Sequence, residues 1–249
     1  MLSLKFCLIS SLLMFSLTVS AREPDWATYS AVLKNIQAGT KNNVDLALVD
    51  YPALIQSGKL QQAYVELTKF PLKNLSGKTE QLAFYINAYN ILALKTVADH
   101  WPLKSIKEVG NLISPVWGKP AGSLDGTVYS LDDIENKILR PMAEPRIHFA
   151  IVCASVSCPD LRNSPFTATE LEGQLDDQAQ KFLNNSSKGL NISAEKLNIS
   201  QIFQWFPEDF ESKGGVGHFL RHYRADIPKN LPIDYLEYDW DVNGNSPIN

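Results

Sequence analysis

The 249-residue chain is poor in cysteine, with three, and has no excess of basic residues. So few cysteines cannot staple a scaffold together, and folding has to rest on an apolar core. Lys and Arg number 23 against 27 Asp and Glu, a formal net charge of −4, so there is no general positive field for nucleic acid. The chain contains no phosphate-cradling glycine loop, no dinucleotide fingerprint and no Gly-x-Ser-x-Gly elbow, which takes weight from nucleotide enzymes and serine hydrolases. The apolar run at the start is too short for a comfortable membrane span, and no other stretch is long enough for a bilayer. No low-complexity linker or long-period repeat divides the sequence. What is present, 45% hydrophobic and 20% charged residues, is ordinary globular composition.

The first residues read as an address. Lys5 supplies a positive start, Phe6 to Val19 is a short apolar and hydroxyl run, and Val19-Ser20-Ala21 has the small residues that signal cleavage prefers. Cleavage is expected after Ala21, with 22–249 forming a single globular domain in the periplasm or outside the cell and no stable membrane insertion. Cys7 leaves with the leader. Cys153 and Cys158 then sit where disulfides persist. Asn-x-Ser sequons at Asn74, Asn184, Asn185, Asn191 and Asn198 matter only if the source glycosylates exported proteins.

Hydrophobic spacing predicts an α+β fold, helix-rich with a small, mostly antiparallel sheet. Helices are expected over Trp26 to Gln37, Leu60 to Phe70 and Thr79 to His100, the last capped by Thr79 and stopping before Trp101-Pro102. Val44 to Ile55 is apolar but aperiodic. Lys119 to Ser130, with Asp125-Gly126, reads as a hairpin, and Leu131 to Leu139 as a short helix. Arg146 to Cys153 is a nearly continuous apolar run and reads as a buried central strand. Thr167 to Leu183 is a helix with Thr167 and Glu170 in capping-box spacing, Leu190 to Ile199 a pair of short strands, and Val216 to Tyr223 a further helix.

Chemistry concentrates in His148 to Arg162, where an imidazole is followed by a small-residue loop with two thiols. Pro159 suits the first position of a helix, which would put Cys158 at its N-cap, where the dipole favours a thiolate. If the loop folds back, Cys158 can meet His148 as base. On the long helix, Glu80, Asn87 and Asn90 fall within about 80° of one another and are candidates to orient the imidazole. That is the nucleophile, base and orienter set of thiol hydrolases and acyltransferases. The competing reading is a Cys153–Cys158 disulfide across a loop small enough to close, with Asn87 and Asn90 satisfying loop carbonyls. Metal ligation by His148, Cys153 and Cys158 lacks a fourth ligand. His218 and His222 have helical pitch but no intervening Glu, and His100 reads as a helix-end cap. Tyr238, Asp239, Trp240 and Asn243 can close over a cleft or simply dock the tail. Nothing calls for a cofactor.

Four motifs recur together: Ala83 to Asn90, His148 to Cys153 with Ser157-Cys158-Pro159, Ser200 to Trp205 with Glu208-Asp209-Phe210, and Tyr238-Asp239-Trp240 with Asn243. On these, the chain resembles the domain-of-unknown-function 547 family over about 79–243. The resemblance implies that the asparagine helix, the histidine segment and the cysteine-proline turn converge, and that the protein is an exported single-domain member. Two readings stay open: a thiol-dependent hydrolase or transferase acting on an acyl or amide group, and a non-catalytic periplasmic binding domain for a small molecule or peptide, clipped by Cys153–Cys158.

Overall fold

The computed structural model describes residues 23–245; the expected signal segment, residues 1–21, lies outside the described residues. The chain begins with α1 (Ala27–Leu33), which stops short of the predicted helix because Ile36 already opens a hairpin, β1 (Ile36–Lys41) and β2 (Val44–Val49). Its turn residues, Asn42 and Asn43, both take positive φ, the left-handed pair that tight hairpin turns require and that Asn tolerates. The aperiodic stretch from Val44 thus resolves into a strand followed by α2 (Tyr51–Ser57), capped by the Asp50 carboxylate on the Ala53 amide. A left-handed Gly58 separates it from α3 (Lys59–Lys69).

The centre is α4 (Lys78–Asp99), buried around most of its circumference. Its start is closed by Glu80 rather than by Thr79: the carboxylate accepts the Gly77 amide and the Ser76 hydroxyl. Beyond it lies the expected hairpin, β3 (Pro120–Leu124) and β4 (Thr127–Ser130), with Asp125 and Gly126 both at positive φ. A segment in π-helical geometry follows, Asp133–Leu139.

The predicted strand Arg146 to Cys153 is not a strand. Pro145–Phe149 forms a 3₁₀ turn, with Pro at its first position and the Glu144 carboxylate capping the Arg146 amide; open chain follows. An unbroken apolar run reports burial, and burial alone does not distinguish a strand from a tight helical turn. The predicted helix after Cys158 is also absent: residues 159–167 are irregular, and α5 (Leu171–Asn184) starts four residues later than Thr167. The physical reason is local. The buried Lys188 ammonium takes the Cys158 carbonyl and Gln178 takes that of Asp160, so helix-closing bonds are unnecessary.

The remainder contains β5 (Leu190–Ile192) and β6 (Leu197–Ile199), antiparallel as expected, then α6 (Ile202–Trp205), α7 (Val216–Tyr223) and β7 (Ile233–Tyr235). β7 pairs parallel with β6, Ile199 opposite Tyr235. The architecture is α+β with small sheets. One apolar cluster surrounds α4, and a second, rich in phenylalanine, joins α5, α6 and α7 through Phe149. Among the described residues no helix is long and apolar enough to cross a membrane.

Candidate functional site

Three elements bring His148 to its place. The 3₁₀ turn carries it, α6 and the turn after it stack Phe206 on its ring at 4.5 Å and 17°, and Asp209 accepts its Nε2 at 2.7 Å. Asp209 is held in turn by Arg140, which reaches it through Nε and one terminal nitrogen at 2.6 and 3.0 Å and also grips Glu208 and Asn136. Burial by itself raises the Asp209 carboxyl, but the hydrogen bonds and charges of His148 and Arg140 outweigh it and hold the group at about 2. Asp209 therefore stays ionised and keeps a proton on Nε2. Nδ1 has no hydrogen-bond partner among the described residues.

His148 opens on a cavity of about 340 Å³ that both Cys153 and Cys158 also line. The two sulfurs are bonded to each other. The Tyr238 hydroxyl lies 3.2 Å from each, and the Cys153 amide donates to Cys158 Sγ at 3.0 Å. Ala154 adopts φ +58° in this loop, and its carbonyl accepts the Asn243 amide. The helix dipole expected at Cys158 does not exist. Two hydrogen-bond donors stand at its sulfur instead.

The cavity's acid is Glu135, presented by the π-helical segment. Its carboxylate accepts the Tyr89 hydroxyl at 3.3 Å and no other protein donor among the described residues. Burial raises the Glu135 carboxyl, and the positive influence of His148 with the Tyr89 bond only partly offsets this. Asp132, which lines the same cavity, accepts only the Asn136 amide among the described residues.

The asparagines of α4 face elsewhere. Asn87 pairs with the backbone of Phe166 through both ends of its amide, at 2.8 and 2.9 Å, and Asn90 bridges the Ala150 carbonyl and the Val152 amide at 2.9 and 2.8 Å. Neither lines the cavity. Glu80 caps its own helix and lies away from the imidazole. The carboxylate bonded to the imidazole is that of Asp209, 61 residues from His148. His218 and His222 are exposed on α7, and the His100 ring bonds the Thr96 carbonyl at the end of α4. Among the described residues no three His, Cys, Asp or Glu side chains gather to hold a metal.

Asp209 was visible in the sequence as part of Glu208-Asp209-Phe210, without a role. Arg140 and Glu135 carried no mark, since a π-helical turn leaves no spacing signature. Residues 72–183 match the model of the family described as "Protein of unknown function, DUF547". The chain is similar to that family over this segment. The matched segment covers α4, the π-helical acid, the His148 turn, both cysteines and α5, whereas Asp209 and Tyr238 lie beyond it. No curated protein and no solved structure matches the chain.

Proposed function

We propose that this protein is an exported hydrolase or transferase that acts on an acyl or amide group through Cys158 and His148, and that the Cys153–Cys158 bond is its oxidised, inactive form. The observation that carries the reading is the His148–Asp209 pair opening on the same cavity as the Cys158 sulfur. An external dithiol would be oxidised to its own disulfide as the two cysteines become thiols. Cys158 then passes its proton to Nδ1 of His148 and attacks the carbonyl carbon. The imidazolium returns the proton to the departing amine or alcohol, and water or an acceptor releases the acyl group from sulfur. The Tyr238 hydroxyl and the Cys153 amide stabilise the thiolate.

The test is alkylation of the reduced full chain by iodoacetamide at pH 7, read per cysteine by peptide mass spectrometry. Cys158 should react at least about tenfold faster than in the unfolded chain, and His148→Ala should remove most of that advantage. Equal rates in folded and unfolded protein, or indifference to His148→Ala, overturns the proposal. The bonded sulfurs favour a second reading, a non-catalytic binding domain. It predicts that protein alkylated at the moment of isolation carries no free thiol and that reduction unmasks no reactive cysteine.

A further inference from the structure

The cavity walls say more about what enters than the reactive groups do. Six aromatic side chains line it, Tyr89, Trp117, Trp205, Phe206, Tyr238 and Trp240, and four of them interlock: Tyr238 and Trp240 lie 4.5 Å apart, Trp205 and Trp240 stack at 5.7 Å, and Trp117 meets Trp240 at 5.9 Å. Aromatic ring faces are negative, and a cage of them binds cations that shed their water readily. Trp240 already shows this affinity, because the Lys107 ammonium rests 3.6 Å from its ring centroid.

The charges agree with the walls. Two basic groups meet the aromatic walls, Lys107 on Trp240 and Arg140 at 4.8 Å over Phe206, and Asp209 and Glu208 consume the second. Glu135 and Asp132 line the same cavity and form no ion pair with any lysine or arginine among the described residues. Glu135 is poorly satisfied, with one long bond to Tyr89. A neutral sugar also uses aromatic platforms and has the two carboxylates and His148 Nδ1 to bond, yet it gains nothing from their charge and finds the neutral polar groups already engaged. Here the Tyr238 hydroxyl is turned to the sulfurs and Asn136 is held between Asp132 and Arg140.

We infer that the substrate or ligand of this cavity carries an ammonium group, primary or quaternary, seated among Trp205, Tyr238 and Trp240 with Glu135 as its counter-charge. This names the substrate class for the thiol–imidazole site proposed above and rests on that site being where ligands bind. An acyl or amide compound with an amine-bearing side chain fits both requirements.

The probes are choline and its neutral isostere 3,3-dimethylbutan-1-ol, titrated into the oxidised full chain with tryptophan fluorescence and calorimetry as readouts. Choline should bind about tenfold or more tightly than the alcohol, since the two differ only in charge and cation–π contacts are worth up to that much when desolvated. Glu135→Gln should cut choline affinity several-fold, leave the alcohol unaffected and keep a cooperative thermal transition. Equal affinity for the two probes, no binding of either, or stronger binding of methyl glucoside overturns the inference. Neither probe has a carbonyl or needs a thiol, so failure here leaves the Cys158 alkylation result standing, and failure of alkylation leaves the choline result standing.

Discussion

His148 is fixed by two forces of different reach. Stacking on Phe206 sets the plane of its ring, and the Asp209 bond sets its rotation about that plane and its tautomer. Both partners come from the turn around Pro207, so one element places both contacts of the imidazole. The arrangement has a pH signature. An Asp near 3.9 in the unfolded chain and about 2 in the folded one stabilises the fold fully above its unfolded value, and that contribution disappears as pH falls through its folded value. Its size is about 1–2 kcal/mol once partial exposure is allowed for. Urea midpoints measured between pH 5 and pH 2 should therefore fall less steeply in Asp209→Asn than in the parent, the difference accumulating below about pH 4. Identical slopes would mean that the carboxylate is not held by His148 and Arg140 in solution. His148 and the two cysteines were legible in the sequence as candidate site residues, but Arg140, Glu135 and the pairing of His148 with Asp209 were not. A hydrogen bond between residues 61 positions apart depends on how two cores dock, which no local spacing encodes.

At the level of elements, α4 works as a spine from which loops hang. Asn87 and Asn90 project from adjacent turns, and each satisfies one backbone donor and one acceptor of an irregular segment that has no ladder of its own. Asn90 in particular holds the chain between Ala150 and Val152, immediately before Cys153. Replacing it by Leu keeps the volume but leaves a buried N–H and C=O unpaired, and should cost about 2–4 kcal/mol in urea unfolding. A cost below about 1 kcal/mol would show that water or a shift of the loop replaces the amide. The sequence announced α4 and its polar strip clearly, through length, the lack of Gly and Pro, and the wheel. It misled over Arg146 to Cys153 because the asparagine clamps and the Glu144 cap let a non-strand segment be buried without sheet partners. The π-helical geometry of Asp133–Leu139 was equally hidden, although it is what turns Glu135 and Asn136 towards the cavity.

On the scale of the whole molecule, the segment from Tyr238 to Gly244 is a strap that ties the β1–β2 hairpin and α2 to the cysteine loop. Its backbone bonds Ser157 and Val156 through the carbonyls of Asp239 and Asp241, Ala154 through the Asn243 amide, Lys104 through Val242, and Val49 of β2 through the Asn243 carbonyl. Lys41 reaches the carbonyls of Val242 and Gly244, and the buried Tyr51 hydroxyl meets the Asn243 side chain at 2.8 Å. Gly244 is needed for this fit, because a Cβ there would lie 2.6 Å from the Tyr51 ring and 2.7 Å from the Val49 carbonyl. The same strap contributes Tyr238 and Trp240 to the cavity, so docking the tail and closing the cleft, which looked like competing readings of the sequence, are one event. The cysteine loop is thus secured twice, by the strap and by the sulfur bond. Closing so short a loop with a disulfide is worth about 2 kcal/mol in the chain-entropy model. Reduction, or the Cys153→Ser/Cys158→Ser double variant, should therefore lower the melting temperature by only about 4–8 °C and keep a cooperative transition. Ending the chain after Leu236 removes every strap bond and both aromatic walls while the disulfide remains possible, and should abolish cooperative melting. The reverse outcome, a double variant that fails to fold beside a truncated chain that melts cooperatively, would make the sulfur bond and not the strap the element that holds the site together.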